Sequence, residues 1–338
     1  MKAMSSRGTN SSIVTVLVFV AIAAMFAAPV QAAKRGNKWI ALRWRFESGE
    51  RIEYMRTDTL SGDAEELVPS IERSGPATMT MRTNVRWDVV DVDREGTATV
   101  NMAVDEIRGN VEVMDERMDL RINASGIKIF AEGGIVYDSV RMGGSRHRLM
   151  DRILDTWMLS ADTRWTDVFG KGLSARITKL GEFVMPELVA RDIIDRRYID
   201  CLKQVQVPER LLRPGDEWTA VYDFSPFGVR RTQFLFEGIE DFDGRRCAKL
   251  FTRSEQEYHV PPTFPGKDEG ASLDVSGGGR GRGVTYWDVD RGRVVSWQST
   301  FDTDYGLHWE SGPGTNGSQP QAKDIRTTYN SKVELRLR

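Results

Sequence analysis

The chain has 338 residues, with 47 Lys and Arg against 49 Asp and Glu, a formal net charge of −2, two cysteines and three histidines. Charges of both signs are interspersed along it, which reads as a solvated surface rather than a charged tail. That balance excludes nucleic acid as the expected partner, because such proteins carry a clustered basic face.

The N-terminus has the three parts of an export signal. Lys2 and Arg7 form a positive start, Ile13 to Ala28 is an unbroken run without charge, Pro or Gly, and Pro29 breaks it before Val30-Gln31-Ala32. Val30 and Ala32 suit the small-residue rule for cleavage, so residues 1–32 are expected to be a signal peptide. Lys34, Arg35 and Lys38 follow closely and oppose export, which keeps an uncleaved anchor as the alternative. No Cys follows the apolar run, so lipid attachment at a new N-terminal Cys is excluded. Cleavage would remove Lys2 and Arg7 and no acid, moving the charge from −2 to about −4. The remaining chain has no second run of spanning length, so it is expected to be soluble in the periplasm or outside the cell, with no membrane span.

Strict alternation dominates the mature chain. Ile40, Leu42, Trp44 and Phe46 alternate before the turn Ser48-Gly49-Glu50. Over Thr78–Val89 the odd positions Met79, Met81, Val85, Trp87 and Val89 are apolar, with Thr83 the exception, and the even ones are polar. After Asp91 to Gly96 the pattern resumes at Ala98, Val100, Met102 and Val104. Such a pair is a β-hairpin with one buried and one wet face. Helical spacing is confined to the middle: Leu149, Ile153 and Trp157 suggest a helix over about 148–159, and a second is expected from Pro186 to about Gln204, ended by Pro208. Alternation then returns, with Val284–Val289 and Arg293–Phe301 flanking a turn, and the chain closes on the regular run Ile325 to Leu337. Pro261–Gly283 and Ser311–Ala322 are rich in Pro, Gly and Ser and are expected to be surface loops.

A faint internal repeat accompanies this order. Gly49-Glu50-Arg51-Ile52 is echoed by Gly215-Asp216-Glu217-Trp218, Trp87 to Asp91 by Phe236 to Glu240, and Gly134 to Asp138 by Gly283 to Asp288. Hairpin chemistry by itself can produce such echoes. The expected class is mainly β (α+β): antiparallel curved sheets or half-barrels, as two related β units, 33–147 and 208–338, joined by a helical connecting segment, 148–207.

The export signal, the Gly-Asp-Glu-Trp entry at 215–218, the Asp-Gly-Arg-Arg-Cys-Ala-Lys hairpin at 243–249 and the Gly-rich lead into Val284–Val295 resemble an uncharacterised family of exported β-rich proteins from planctomycete-type bacteria. The resemblance covers most of the mature chain. It implies architecture and location, and no activity.

No constellation of catalytic residues stands out. His147, His259 and His308 have no second His or Cys at ligand spacing, and the Asp pairs 91/93, 241/243 and 288/290 lack the rest of a calcium loop and suit turns instead. Gly277 to Gly283 resembles a phosphate loop only superficially: it opens a strand rather than a helix, so it reads as a flexible hinge. Ser139 has no base at motif spacing. Cys201 and Cys247 can pair in an oxidising compartment or remain buried thiols. Trp44, Trp87 and Trp297 are expected in the core, and Trp39 and Trp309 are candidates for a binding surface. These observations assign no catalytic, cofactor or metal residue. They favour a non-catalytic binder or carrier of an apolar or envelope-derived ligand, with an envelope structural or protein-interaction module as the alternative and an unrecognised hydrolase third.

Overall fold

A computed structural model describes residues 39–63, 75–113, 116–123, 125–131, 134–138, 172–184, 205–223, 228–260, 272–310 and 322–338. The first six strands are β1 (Arg51–Asp63), β2 (Pro76–Val92), β3 (Ala98–Val113), β4 (Glu116–Asn123), β5 (Gly126–Ala131) and β6 (Gly134–Asp138). A short pair follows, β7 (Leu173–Ile177) and β8 (Phe183–Val184). The last six are β9 (Glu217–Asp223), β10 (Gly228–Phe242), β11 (Arg245–Val260), β12 (Ser272–Asp288), β13 (Arg293–Glu310) and β14 (Ala322–Leu337).

All pairings are antiparallel, in the order β6-β5-β4-β3-β2-β1-β14-β13-β12-β11-β10-β9. Each half is a meander, and the first strand of one joins the last strand of the other from Tyr54↔Leu337 to Gly62↔Tyr329. The result is one large curved antiparallel sheet, open between β6 and β9. The antiparallel β class stands. The two expected helices lie outside the described residues, and none of the described residues is helical. What is described of 148–207 includes the β7–β8 hairpin, which pairs with Ala98–Met102 of β3. The same strand pairs with β4 beyond Glu106. A bulge at Asp105, where Asn84↔Glu106 gives way to Val85↔Val104, separates the two partners and bends the strand between them.

The alternation read from the sequence sets the two faces. Val85, Trp87 and Val89 are buried, and so is the odd-numbered exception Thr83, because the face follows position and not residue type. Asp93 caps its turn by accepting hydrogen bonds from the Glu95 and Thr97 amides at 3.0 and 2.9 Å. Asp288 does the same for Asp290 and Arg291 at 2.9 and 2.8 Å. These carboxylates therefore act as turn residues.

The Gly-rich run corrects an expectation. Gly277–Gly283 is not a hinge; it lies inside β12, hydrogen-bonded to β11 on one side and β13 on the other. Here the missing side chains serve packing. A Cβ on Gly281 would stand 2.5 Å from the ring of Phe301, its cross-strand partner, and one on Gly283 would stand 2.4 Å from the Gln298 carbonyl oxygen. Turn-prone composition is overridden by neighbours that need the space.

The core fills the sheet at the end where the β2–β3, β10–β11 and β12–β13 turns lie. Residues 39–46 alternate as expected but do not join the sheet as a strand. They cross its core face as a strap. Ile40 exchanges hydrogen bonds with Leu212, the Trp44 amide donates to Lys179, and the Arg45 amide donates to Gly292. Trp44 stacks on Phe46 at 5.7 Å and meets Trp87 of β2 at 5.9 Å and Trp287 of β12 at 4.8 Å. Its indole Nε1 donates to the Val205 carbonyl at 2.9 Å. One side chain thus touches both meanders.

The two meanders open alike. Gly49 donates to Val89 and Val89 to Glu50, both at 2.8 Å; Gly215 donates to Phe236 at 2.8 Å and Phe236 to Asp216 at 2.9 Å. A bulge follows each, at Val90 and at Glu237. By register Val89 corresponds to Phe236, two residues from the match the sequence suggests.

Trp44→Ala should lower the unfolding free energy by about 3–5 kcal/mol, the usual cost of emptying a buried aromatic site, read by denaturant titration. Gly281→Val should destabilise by about 1–3 kcal/mol, as overpacking does. A hinge would tolerate that substitution, so an unchanged midpoint would contradict the packing account.

Candidate functional site

Beyond the aromatic core, the core face of β9–β13 turns polar. Thr232 of β10 stands opposite Ser254 of β11, which stands opposite Gly281 of β12 and then Phe301 of β13. The adjacent row runs Phe234, Thr252, Gly283 and Ser299. Thr285 faces Trp297 in the next, and Arg230 faces Tyr222 on the other side. These residues enclose a niche of about 20 Å³, room for a water or two.

Its polar groups are shut away from water. Arg230 is 8% exposed, Ser299 5% and Thr285 1%. Thr232 and Ser254 share a hydrogen bond at 2.9 Å. The hydroxyls of Thr285 and Ser299 have no protein partner among the described residues. A buried hydroxyl left unpaired costs about 1–3 kcal/mol. The Arg230 guanidinium lies over the Tyr222 ring at 5.1 Å, and the Tyr222 oxygen accepts from the Gln206 amide at 3.4 Å. Burial pushes the Tyr222 phenol up to about 12, against the opposing pull of Arg230. It is therefore a neutral donor at any physiological pH.

The first meander has a comparable pair built differently. Matching Val89 to Phe236 and Val100 to Leu250 places Val85 and Val104 where Thr232 and Ser254 stand. Both valines are buried, at 3% and 1% exposure. An apolar pair is thus sufficient to build this part of the sheet.

Residues singled out in the sequence fall elsewhere. Trp44 and Trp87 are core, and Trp297 packs against it and lines the niche. Trp39 is 55% exposed, with Arg213 over its ring at 5.5 Å, and Leu211 nearby in the chain is 52% exposed. The Cys247 thiol is free and fully buried, and burial together with the Asp288 carboxylate pushes it up to about 11. Cys201, His147 and Ser139 lie outside the described residues. By backbone register His259 stands opposite Ser276 and His308 opposite Asp274. None of the niche residues except Trp297 was conspicuous in the sequence. Their only signal was hydroxyls at core-facing positions of alternating strands.

The opposite face is charged. Asp88 holds Arg51 at 2.7 Å and Arg86 at 3.0 Å, and Arg86 reaches Asp105 at 2.8 Å. Glu106 takes Arg108 at 2.6 Å and also Arg121. Strands that face lipid carry an apolar band there, so this face of β1–β4 is built for water.

No protein-family model and no curated protein matches the chain. Among solved structures it is similar to an outer membrane channel from Pseudomonas putida F1, at 9% identity over 87% of this chain and 97% of that one, with a TM-score of 0.22. It is also similar to a mutant porin of Rh. blastica, at 7% identity over 86% and 99%, with a TM-score of 0.14. At these scores neither likeness carries an argument.

Alkali should unfold the protein through its buried phenols. Tyr222 ionises near 10 when unfolded and at about 12 when folded. Its contribution is therefore complete below pH 10 and is lost as the pH rises towards 12. Tyr54, raised by burial, acts in the same direction. The chemical-denaturation midpoint should fall across that window, and Tyr222→Phe should flatten part of the fall.

Proposed function

We propose that the protein is an exported, non-catalytic binder whose site is the polar niche on the core face of β9–β13. On this reading the two meanders are repeats of one unit, and the second has been altered to bind. The observation that carries it is the comparison of equivalent positions. Thr232 and Ser254 replace the Val85–Val104 pair, and beside them the Thr285 and Ser299 hydroxyls are buried without a protein partner. The Thr232–Ser254 pair is itself hydrogen-bonded at 2.9 Å, so what sets the second meander apart is a polar pair where the first has an apolar one. Polar groups gathered around a small enclosed space, where an apolar pair also builds the sheet, support a binding site there.

The niche also narrows the expected carrier activity. The apolar end of the core face is occupied by Leu42, Trp44 and Phe46 of the strap. An apolar ligand therefore has no volume there, and recognition falls to the polar group it presents.

Thr285→Val and Ser299→Ala separate this reading from a structural one. In the free protein each should leave stability unchanged or raise it by up to about 1 kcal/mol, because a buried unpaired group is removed. Each should also reduce the ligand retained on the purified protein, measured by native mass spectrometry. A loss of stability above about 1 kcal/mol in both variants, or wild-type protein with no bound mass and no response to any small molecule, would sink the proposal.

A further inference from the structure

We infer that the outward face of β2–β5, opposite the niche and independent of it, binds a linear acidic polysaccharide. The register sets four cations side by side there: Arg82 faces Arg108, Arg108 faces Arg121, and Arg121 faces Lys128. Their chain neighbours Thr83, Leu120 and Ile129 are buried, so alternation turns the four side chains outward. Like charges directly opposite one another destabilise a sheet. Glu106 offsets part of the row by taking Arg108 at 2.6 Å and also Arg121. Arg82 is exposed and has no ion pair or hydrogen bond among the described residues. Beside it lies a groove of about 270 Å³ lined by Met55, Arg82, Asn84, Glu106, Arg108 and Arg338. Three guanidinium groups meet one carboxylate there. An anion seated in the groove meets the planar donor fork of Arg82, which the fold does not use.

Spacing and neighbours say what carries the anion. Adjacent strands lie about 4.8 Å apart, close to the length of one pyranose unit in a linear polysaccharide. A chain laid across the strands with one carboxylate per sugar therefore keeps step with the row. Acidic side chains on one face of an extended peptide recur at about 6.6 Å and fall out of step. Asn84 stands on one side of the row, and Thr80 opposite Asn110 on the other. Amide and hydroxyl side chains both donate to and accept from sugar hydroxyls, whereas a polyphosphate has no hydroxyl along its chain to meet them. The ligand is therefore a polyuronate-like chain rather than a bare polyanion.

The test is a calorimetric titration of the purified wild-type protein with polygalacturonate, dextran, polyglutamate and polyphosphate. Polygalacturonate should bind at least about tenfold more tightly than each of the others. Added salt should weaken it, because the row is exposed. The Arg82→Gln/Arg108→Gln double variant should lower that affinity by at least about tenfold. Its denaturation midpoint should not fall, since like charges leave facing positions. Arg82→Gln alone, at an exposed and unpaired side chain, decides the matter if the double variant fails to fold; it should cost about threefold. The niche variants Thr285→Val and Ser299→Ala should leave this binding unchanged. Dextran binding as tightly as polygalacturonate, or unchanged affinity in the arginine variants, overturns the site. Polyglutamate or polyphosphate binding as tightly overturns the sugar assignment. Silence towards all four overturns the inference and leaves the reading of the niche standing.

Discussion

The fold depends on one side chain, Trp44. An antiparallel sheet of two six-strand meanders has a single seam, the pairing of β1 with β14, and two meanders joined only along an edge would be free to twist about it. Trp44 removes that freedom. It packs against Trp87 from one meander and Trp287 from the other, and its Nε1 is tied to the Val205 carbonyl. Even the turn beside it is shaped to fit: a Cβ on Gly181 would come within 2.5 Å of that nitrogen. Aromatic area of this size, fully desolvated and held at three contacts, dominates a local core.

That closure leaves different tasks to the two ends of the strands. At the turn end the strap, the β7–β8 hairpin and residues 205–212 cover the core face and make it dry. Past the level of Trp287 the face becomes hydroxyl-bearing, with Thr252, Thr285 and Ser299 buried on it. The polar niche lies at that boundary, and burial strengthens the electrostatic interactions of its side chains. The charged opposite face makes the complementary point, since its ion pairs suit water and not lipid.

Much of the β architecture was legible from period two alone. The hairpins around 91–96 and 290–292, the final strand and the buried tryptophans all follow from which positions alternate. The failures have physical causes. Gly277–Gly283 looked like a hinge because glycine propensity is local, whereas the contact with Phe301 that requires glycine lies on another strand. Residues 39–46 looked like a sheet strand because a strap against a core alternates just as a strand does. The niche residues were invisible as a group, because Thr, Ser and Arg at alternating positions are ordinary until register stacks them in neighbouring rows.

Local patterning sets the faces: which side chains turn inward, where turns interrupt the strands, and which aspartates cap them. These are decisions over a few residues, governed by backbone alternation and turn chemistry. Which strands become partners is fixed by long-range packing. Pairing β1 with β14 brings together residues some 275 positions apart, and the placement of Arg230 near Thr285 and Ser299 depends on the register of four successive strands. A slip of one residue in any of them would turn those groups to the opposite face. Periodicity records that a strand has two faces, but which neighbour it meets is settled by long-range packing.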